Sequence, residues 1–497
     1  MSTSFIRPSR ARFLLEEHPE PLILELPCPR TGLFDLYGRL ATPDRPSFLL
    51  ESGKGTRTVA RYSFFGADPF LVLSGRGSRT TLRWRDRTED READPFTVLT
   101  EMLRASRVPR PEDAPPFFGG AVGYLGYDVV RTFERVPTIA LDDLTVPEVQ
   151  FAFVDLVAAL DHDQDTLYLV FAPPLARLLG EPREKLYREG ADRLAELEAT
   201  LTTRVSHTRR EPDRPAPPMR IAPEQTREAY MERVARCQDY IRAGDIYQAN
   251  LSHRFTVDLE GPPTSLGRQL YARLRRGNPS PFAGLLTFPP FSLVSSSPER
   301  LVRLQGMRAD TRPIAGTRPR GTTLADDRRL VEELLGDSKE RAEHLMLVDL
   351  ARNDVGRVCR YGTVRVDDFM AVERYSHVSH LVSNVTGELR EDVDGFDLLR
   401  AVFPGGTITG VPKIHCLEII ETLEPVRRGP YTGAMGYLSW SGDLDFNILI
   451  RTVLLTAGRG YLQVGAGIVA DSDPAREYDE TLYKAEALLA ALRGGQV

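Results

Sequence analysis

Two acidic spacings in this chain could do chemistry. In the stretch from Asp337 to Asp354, DSKERAEHLMLVDLARND, Glu340 and Glu343 lie three apart. On a helix they project from one face of its first turn, and Asp337 or Ser338 suits the N-cap. The pattern recurs near the C-terminus. Asp473 caps, Pro474 suits the first helical position, and Glu477 and Glu480 again lie three apart. Neighbouring carboxylates repel unless they are solvated or bridged by a cation. Four together would make an all-oxygen site for a hard ion such as Mg2+, shared with an anionic ligand. Taken alone, each pair reads as capping, because acidic residues favour helix N-termini. The company they keep argues for a site.

That company is a set of polar and glycine-rich clusters in the same half. They are SSSPE at 295–299, TRPIAGTRPRG at 311–321 with three arginines beside Gly316 and Thr317, FPGGTITGVPK at 403–413 with Thr407 and Lys413, and GAGIVADSD at 465–473. Arg451 lies in the strand-like run DFNILIRTVLL. Arginine binds carboxylates bidentately, and glycine-rich turns present backbone N–H groups to anions. Such groups suit a small substrate with more than one carboxylate. His377 and His380, in RYSHVSHLVSNVTGEL, are candidates for acid–base work. His380 precedes the alternating run LVSNV, so a sheet would orient it.

The elements that must position these groups follow from periodicity. Helices are expected over 181–201, from near Glu224 to Gly244, and over 325–336, 338–352, 412–423 and 474–492. Tyr230, Val234, Cys237 and Ile241 recur at helical spacing and should face a core. Strand-like runs include LILELP from Leu22, SFLLES at 47–52 and FAFVDLVAAL and TLYLVFA within 149–172. In FFGGAVGYLGYD (117–128) the glycines should allow bends and close backbone approach. No GxGxxG in a strand–helix setting supports nucleotide binding. Residues 206–218, polar and proline-rich, read as a linker. The whole is mixed α and β with many antiparallel strands.

The 497 residues suit two domains or one large composite, at 41% hydrophobic and 27% charged. A net charge of −6 offers no basic excess for nucleic acid. Cys28, Cys237, Cys359 and Cys416 are far apart and form neither a metal motif nor a disulfide framework. MSTSFIRPSRARF lacks a signal peptide's apolar core, and no run approaches the roughly 20 apolar residues of a membrane helix. The expectation is a soluble cytoplasmic enzyme.

Longer motifs carry a resemblance. PIAGTRPRG, AEHLMLVDLARND, HLVSNVTGEL, GGTITGVPK, RRGPYTGAMGY, IRTVLL and GAGIVADS resemble the chorismate-utilising enzymes, with LLES (49–52) and RYSFFGADP (61–69) extending the likeness into the first half. The family includes the anthranilate, aminodeoxychorismate, isochorismate and salicylate synthases. The resemblance implies an α+β fold, a composite β-sandwich with outer helices. It divides the chain into an N-terminal regulatory-type region (1–205), the linker (206–218) and a chorismate-binding catalytic domain (219–497). It implies chorismate as substrate and Mg2+ as cofactor, with Glu340, Glu343, Glu477 and Glu480 around the metal. His380, Thr407 and Lys484 would be catalytic. Gln248, Thr317, Thr407, Tyr431, Arg451, Gly465, Ala466, Gly467 and Lys484 would hold the substrate.

Within the family the motifs are a mosaic. Aminodeoxychorismate synthases usually carry a lysine nucleophile inside PIxGT, where this chain has Ala315. Ala315, MLVDLARND and GAGIVADS resemble anthranilate synthase component I. GDIYQANL, NPSPFAG, FPGGTITG and DFNILIRT lean toward the aminodeoxychorismate type. Gln248 and the motifs around it argue against a water-using isochorismate type, and the intact carboxylates against a non-enzymatic homologue. None of the four cysteines lies in a glycine-flanked nucleophile turn, so ammonia is expected from a partner or from solution, and the resemblance implies a glutamine amidotransferase partner in a hetero-oligomer. LLES resembles a tryptophan feedback site, with Glu51 and Ser52 engaging the ligand and Asn278, Pro279 and Phe282 forming a wall. Phe282-Ala283 departs from the family's usual Tyr-Met there, which implies weak inhibition.

Overall fold

The apolar runs read from the sequence become strands of two large antiparallel sheets. We describe them from a computed structural model, in which residues 5–16, 20–53, 60–203, 220–374 and 378–494 are described. One sheet has 13 strands and the other 12. Their inner faces close on one apolar core, and rings from distant parts of the chain meet there. Phe117 stacks on Tyr437 with centroids 4.7 Å apart, and Phe64 meets Tyr437 edge-on at 5.3 Å. Each such buried aromatic contributes roughly 1.5–3 kcal/mol by leaving water.

Both sheets draw strands from both sides of residues 206–218. In the larger one, Ser47–Glu51 pairs with Phe282–Phe288, placing Glu51 opposite Ala283. In the smaller, Gly120–Leu125 pairs with Ala434–Ser439. A Cβ on Gly120 or Gly123 would collide with the backbone of the neighbouring strand, so the glycine-rich FFGGAVGYLGYD makes the close approach expected of it. The linker itself lies outside the described residues.

Helices cover the outer faces. Arg227–Ala243, Lys413–Leu423 and Pro474–Leu492 share an apolar cluster with Ala249, Leu251, Ala466 and Ile468 of the larger sheet. Tyr230, Val234 and Cys237 are buried in it, as their spacing predicts, while Ile241 packs at its edge. The Ser338–Gly356 helix lies against Ile314–Pro319 and Val378–Glu388 of the smaller sheet. The segment near Glu224 differs from expectation: Ile221–Pro223 is a short strand, and the helix starts after Thr226, whose hydroxyl caps it. No described helix is long and apolar enough to cross a membrane.

Candidate active site

The two acidic helix starts are built as their spacing predicts. The Asp337 carboxylate accepts from the N–H groups of Lys339 (3.0 Å) and Glu340 (3.2 Å), and Asp473 accepts from that of Arg476 (2.9 Å). Beyond the caps the pairs diverge. Glu340 accepts from Arg318 at 2.9 Å, and the same guanidinium holds Asp337 at 2.7 Å. Half-buried Glu343 accepts from the Gln248 amide at 3.0 Å. Glu480 is exposed and pairs with Lys484 at 2.8 Å, and Lys484 also donates to the Gly465 carbonyl at 3.1 Å.

The two helix starts feel each other. Burial pushes the Glu343 carboxyl up, and Glu340 and then Glu480 add to this, against the Gln248 hydrogen bond and the Lys484 charge. Glu477 is also pushed up, by burial and Glu480, against Ser472, Lys484 and Lys339. Mutual repulsion of this kind is what a cation relieves. The donor chemistry fits a hard divalent ion, and the buried Gln248 Oε1 beside Glu343 has no partner among the described residues. With two of the four glutamates held by basic side chains, no three His, Cys, Asp or Glu groups among the described residues stand ready as a metal cluster.

Strand pairing builds the other side of the site. Thr317 lies opposite His380, and its hydroxyl sits 2.8 Å from Nδ1. The register shifts between Ala315 and Thr317, and Gly316 takes φ +77° with its α-carbon facing Glu340. A bulge thus links the carboxylate helix to the imidazole. Burial, then the Arg451 charge, push His380 down to about 4, against a bond to the Gly316 backbone. The ring is therefore neutral at neutral pH. Arg451 itself has φ +50° and no ion pair with any described residue. Glu299 and Tyr483 are the groups whose charge supports its own, against burial.

Glu299 is a functional candidate that the sequence reading did not single out. It is the last residue of SSSPE, fully enclosed, and burial pushes its carboxyl up to about 7 against Thr407, the Ile314 backbone and Arg451. A glutamate closing an otherwise uncharged strand run was the available signal. Tyr431 is buried with its hydroxyl against Gly465, and Gly467 lies under the Gln248 amide. Ala466 faces the opposite side, in the apolar cluster beneath the helices, so only its backbone can serve the site.

Several expected contributors are engaged elsewhere. Arg312 pairs with Glu373, Arg318 with Asp337 and Glu340, and Arg320 with Asp327, so none of the three arginines is free of its own acidic partner. Lys413 is held by Asp354 at 2.6 Å, where a nearly buried carboxylate on the long helix needs a counter-charge. His377 lies outside the described residues. At the second expected site, Glu51 accepts from Tyr271 (2.6 Å) and from Arg275 (2.5 and 3.1 Å), and the Ser52 hydroxyl donates to the Tyr62 carbonyl. Asn278 bonds Ser296, Gly53 bonds the Ser280 backbone, and Phe282 lies under Arg300. The segment 278–282 does stand beside Glu51 and Ser52, though Pro279 shows no contact that assigns it a role.

Carboxylates at two helix starts, a neutral imidazole and a guanidinium with no ion pair among the described residues have the chemistry that a small polyanionic substrate with a hard cation would need. Residues 45–490 match the chorismate binding enzyme family, and the chain belongs to it. It is 45% identical over 487 residues to anthranilate synthase component 1 of Thermus thermophilus, covering 98% of both chains. It is 41% identical over 469 residues to aminodeoxychorismate synthase component 1 of Bacillus subtilis, covering 94% of this chain and 96% of that one. The crystal structure of anthranilate synthase component I from Streptococcus pneumoniae superimposes with a TM-score of 0.75 at 31% identity, over 93% of this chain and 98% of that one.

Proposed function

We propose that this chain is the large component of an anthranilate synthase in tryptophan biosynthesis. It takes chorismate and ammonia to anthranilate, pyruvate and water. The observation that carries the choice is Ala315. It precedes the bulge that sets Gly316 against Glu340 and Thr317 against His380, and its methyl offers no nucleophile where a lysine would attack the ring. Ammonia is then the attacking group. The names of the relatives, each a component 1, support a partner subunit that supplies it from glutamine.

The residues suit this reaction. Arg451 holds a substrate carboxylate without surrendering a partner of its own. Glu299, protonated through part of the neutral range, is suited to give a proton to the departing ring hydroxyl. His380 stays neutral and can accept or relay one. Gly465 and Gly467 leave room for the ligand beside Tyr431 and Gln248. Glu340, Glu343, Glu477 and Glu480 would hold Mg2+, which supplies positive charge for the ring carboxylate and the leaving hydroxyl.

The likeness to the Bacillus subtilis protein supports a second reading, 4-amino-4-deoxychorismate as product. One assay separates them: the pure chain with chorismate, Mg2+ and ammonium, products resolved by chromatography. Anthranilate with pyruvate is expected. Aminodeoxychorismate without anthranilate would overturn the choice resting on Ala315. Turnover of glutamine by the chain alone would overturn the need for a partner.

A further inference from the structure

Lys484 lies among the carboxylates. Its ammonium is 2.8 Å from Glu480 and 3.1 Å from the Gly465 carbonyl. Gly465 is two residues along the strand from Gly467, where the Gln248 amide reaches Glu343. The charge of Lys484 also acts on Glu343 and Glu477, so three of the four glutamates share this one cation. Arg318 does a similar service for Glu340, but Asp337 anchors its other nitrogen.

The residue type matters. Only five of the 64 basic residues are lysines: Lys54, Lys185, Lys339, Lys413 and Lys484. Arginine fixes a planar fork in place, whereas lysine is a compact point charge on a flexible stem. Lys484 keeps 39% of its side chain exposed, and Glu480 keeps 50%. That pair can open at small cost, since ion pairs exposed to solvent are weak. The Gln248 Oε1, in a side chain only 4% exposed, is an acceptor that no described group uses.

We propose that Lys484 is an exchangeable counter-ion. A divalent cation entering between the two helix N-termini displaces its ammonium from Glu480, and the released ammonium, still beside Gly465, receives a carboxylate of the substrate. This rests on the reading of the site as one for chorismate and a hard cation. It adds an ordering: cation and substrate each favour the same displaced position of one side chain, so each tightens the other's binding by the same factor.

The test uses Mn2+ as the probe, followed by electron paramagnetic resonance on the intact chain, without ammonium. In the wild type, chorismate should tighten Mn2+ binding by about fivefold or more. Lys484→Met removes the competing charge at similar length. Mn2+ alone should then bind about fivefold or more tightly than to the wild type, and chorismate should tighten it by a smaller factor than in the wild type. Lys484→Arg keeps the charge and should leave Mn2+ alone bound as weakly as in the wild type. Lys484→Gln serves if the methionine variant melts early. Equal or weaker Mn2+ binding in Lys484→Met and Lys484→Gln would overturn the exchange while leaving the metal reading intact. No Mn2+ binding to the wild type, with or without chorismate, would overturn both.

Discussion

Glu299 and His380 are two enclosed titratable groups whose burial acts in opposite directions. The Glu299 carboxyl moves from its ordinary 4.5 up to about 7. Its folded form binds a proton more tightly than its unfolded form, so its contribution to stability is full below about 4.5 and is lost as pH rises to about 7. Urea unfolding of the wild type should lose up to about 3 kcal/mol across that window relative to Glu299→Gln. Parallel profiles for the two proteins would remove the shift. In activity, expressed per unprotonated ammonia, the wild type should decline above about pH 7 as Glu299 ionises, and Glu299→Gln should be lower by about a hundredfold or more. Glu343→Gln tests the metal. Activity should fall by orders of magnitude, while the melting temperature should hold or rise, because a carboxyl pushed up by burial and by Glu340 gives up an unfavourable charge. Near-normal activity would return the acidic pairs to a capping role. At this scale the caps Asp337 and Asp473 were legible, because capping is local. The partners of Arg312, Arg318, Arg320 and Lys413 were not, because each lies on another element.

The strand Arg459–Ile468 serves the site through what two of its residues lack. A Cβ on Gly467 would stand 2.5 Å from the Gln248 Nε2 and 3.6 Å from Glu343. Since the first contact is a side-chain end that can swing away, Gly467→Ala should fold with little change in melting temperature and lose its hold on substrate, seen as a raised KM. A large drop in melting temperature with normal KM would show the glycine to be structural. The Ser47–Glu51 strand carries a different prediction. An amino-acid ligand reaching Glu51 must compete with Tyr271 and Arg275, so millimolar L-tryptophan should raise the wild-type melting temperature only slightly. Arg275→Met should enlarge the shift through mass action, and equal shifts in both would remove Glu51 from any such site. The helices over 183–202, 227–243, 324–336, 338–356, 413–423 and 474–492 were read to within a few residues. Leu33–Leu40, Pro95–Arg104, Pro263–Gly277 and Gly395–Val402 were missed. All but the third are short enough to pass for strand runs, and in Pro263–Gly277 the apolar residues Leu266, Leu270, Tyr271 and Leu274 are diluted by arginines.

Across the whole molecule, the antiparallel character and the helix cover were legible from alternation and periodicity. Which strands pair was not, since Ser47–Glu51 and Phe282–Phe288 lie over 200 residues apart and nothing local marks them as partners. The consequence for residues 219–497 taken alone is direct. Phe282–Phe288 and Ala434–Ser439 would each lose a neighbour, and Tyr437 would lose the rings it packs on. That fragment should be insoluble or lack the near-ultraviolet circular dichroism of fixed aromatic packing. Soluble, cooperative folding of it would show the C-terminal half to be independent. The same shared sheets bear on how the polypeptide is born. At about 5–20 residues per second, a ribosome needs roughly 15–60 s to go from residue 205 to residue 497. Within that interval the nascent strand Ser47–Glu51 presents an open edge until Phe282–Phe288 is translated, and Gly120–Leu125 presents one until Ala434–Ser439 is. Edges of that kind recruit other chains, so yield in a heterologous host should depend on translation speed and on chaperones that shield the waiting half.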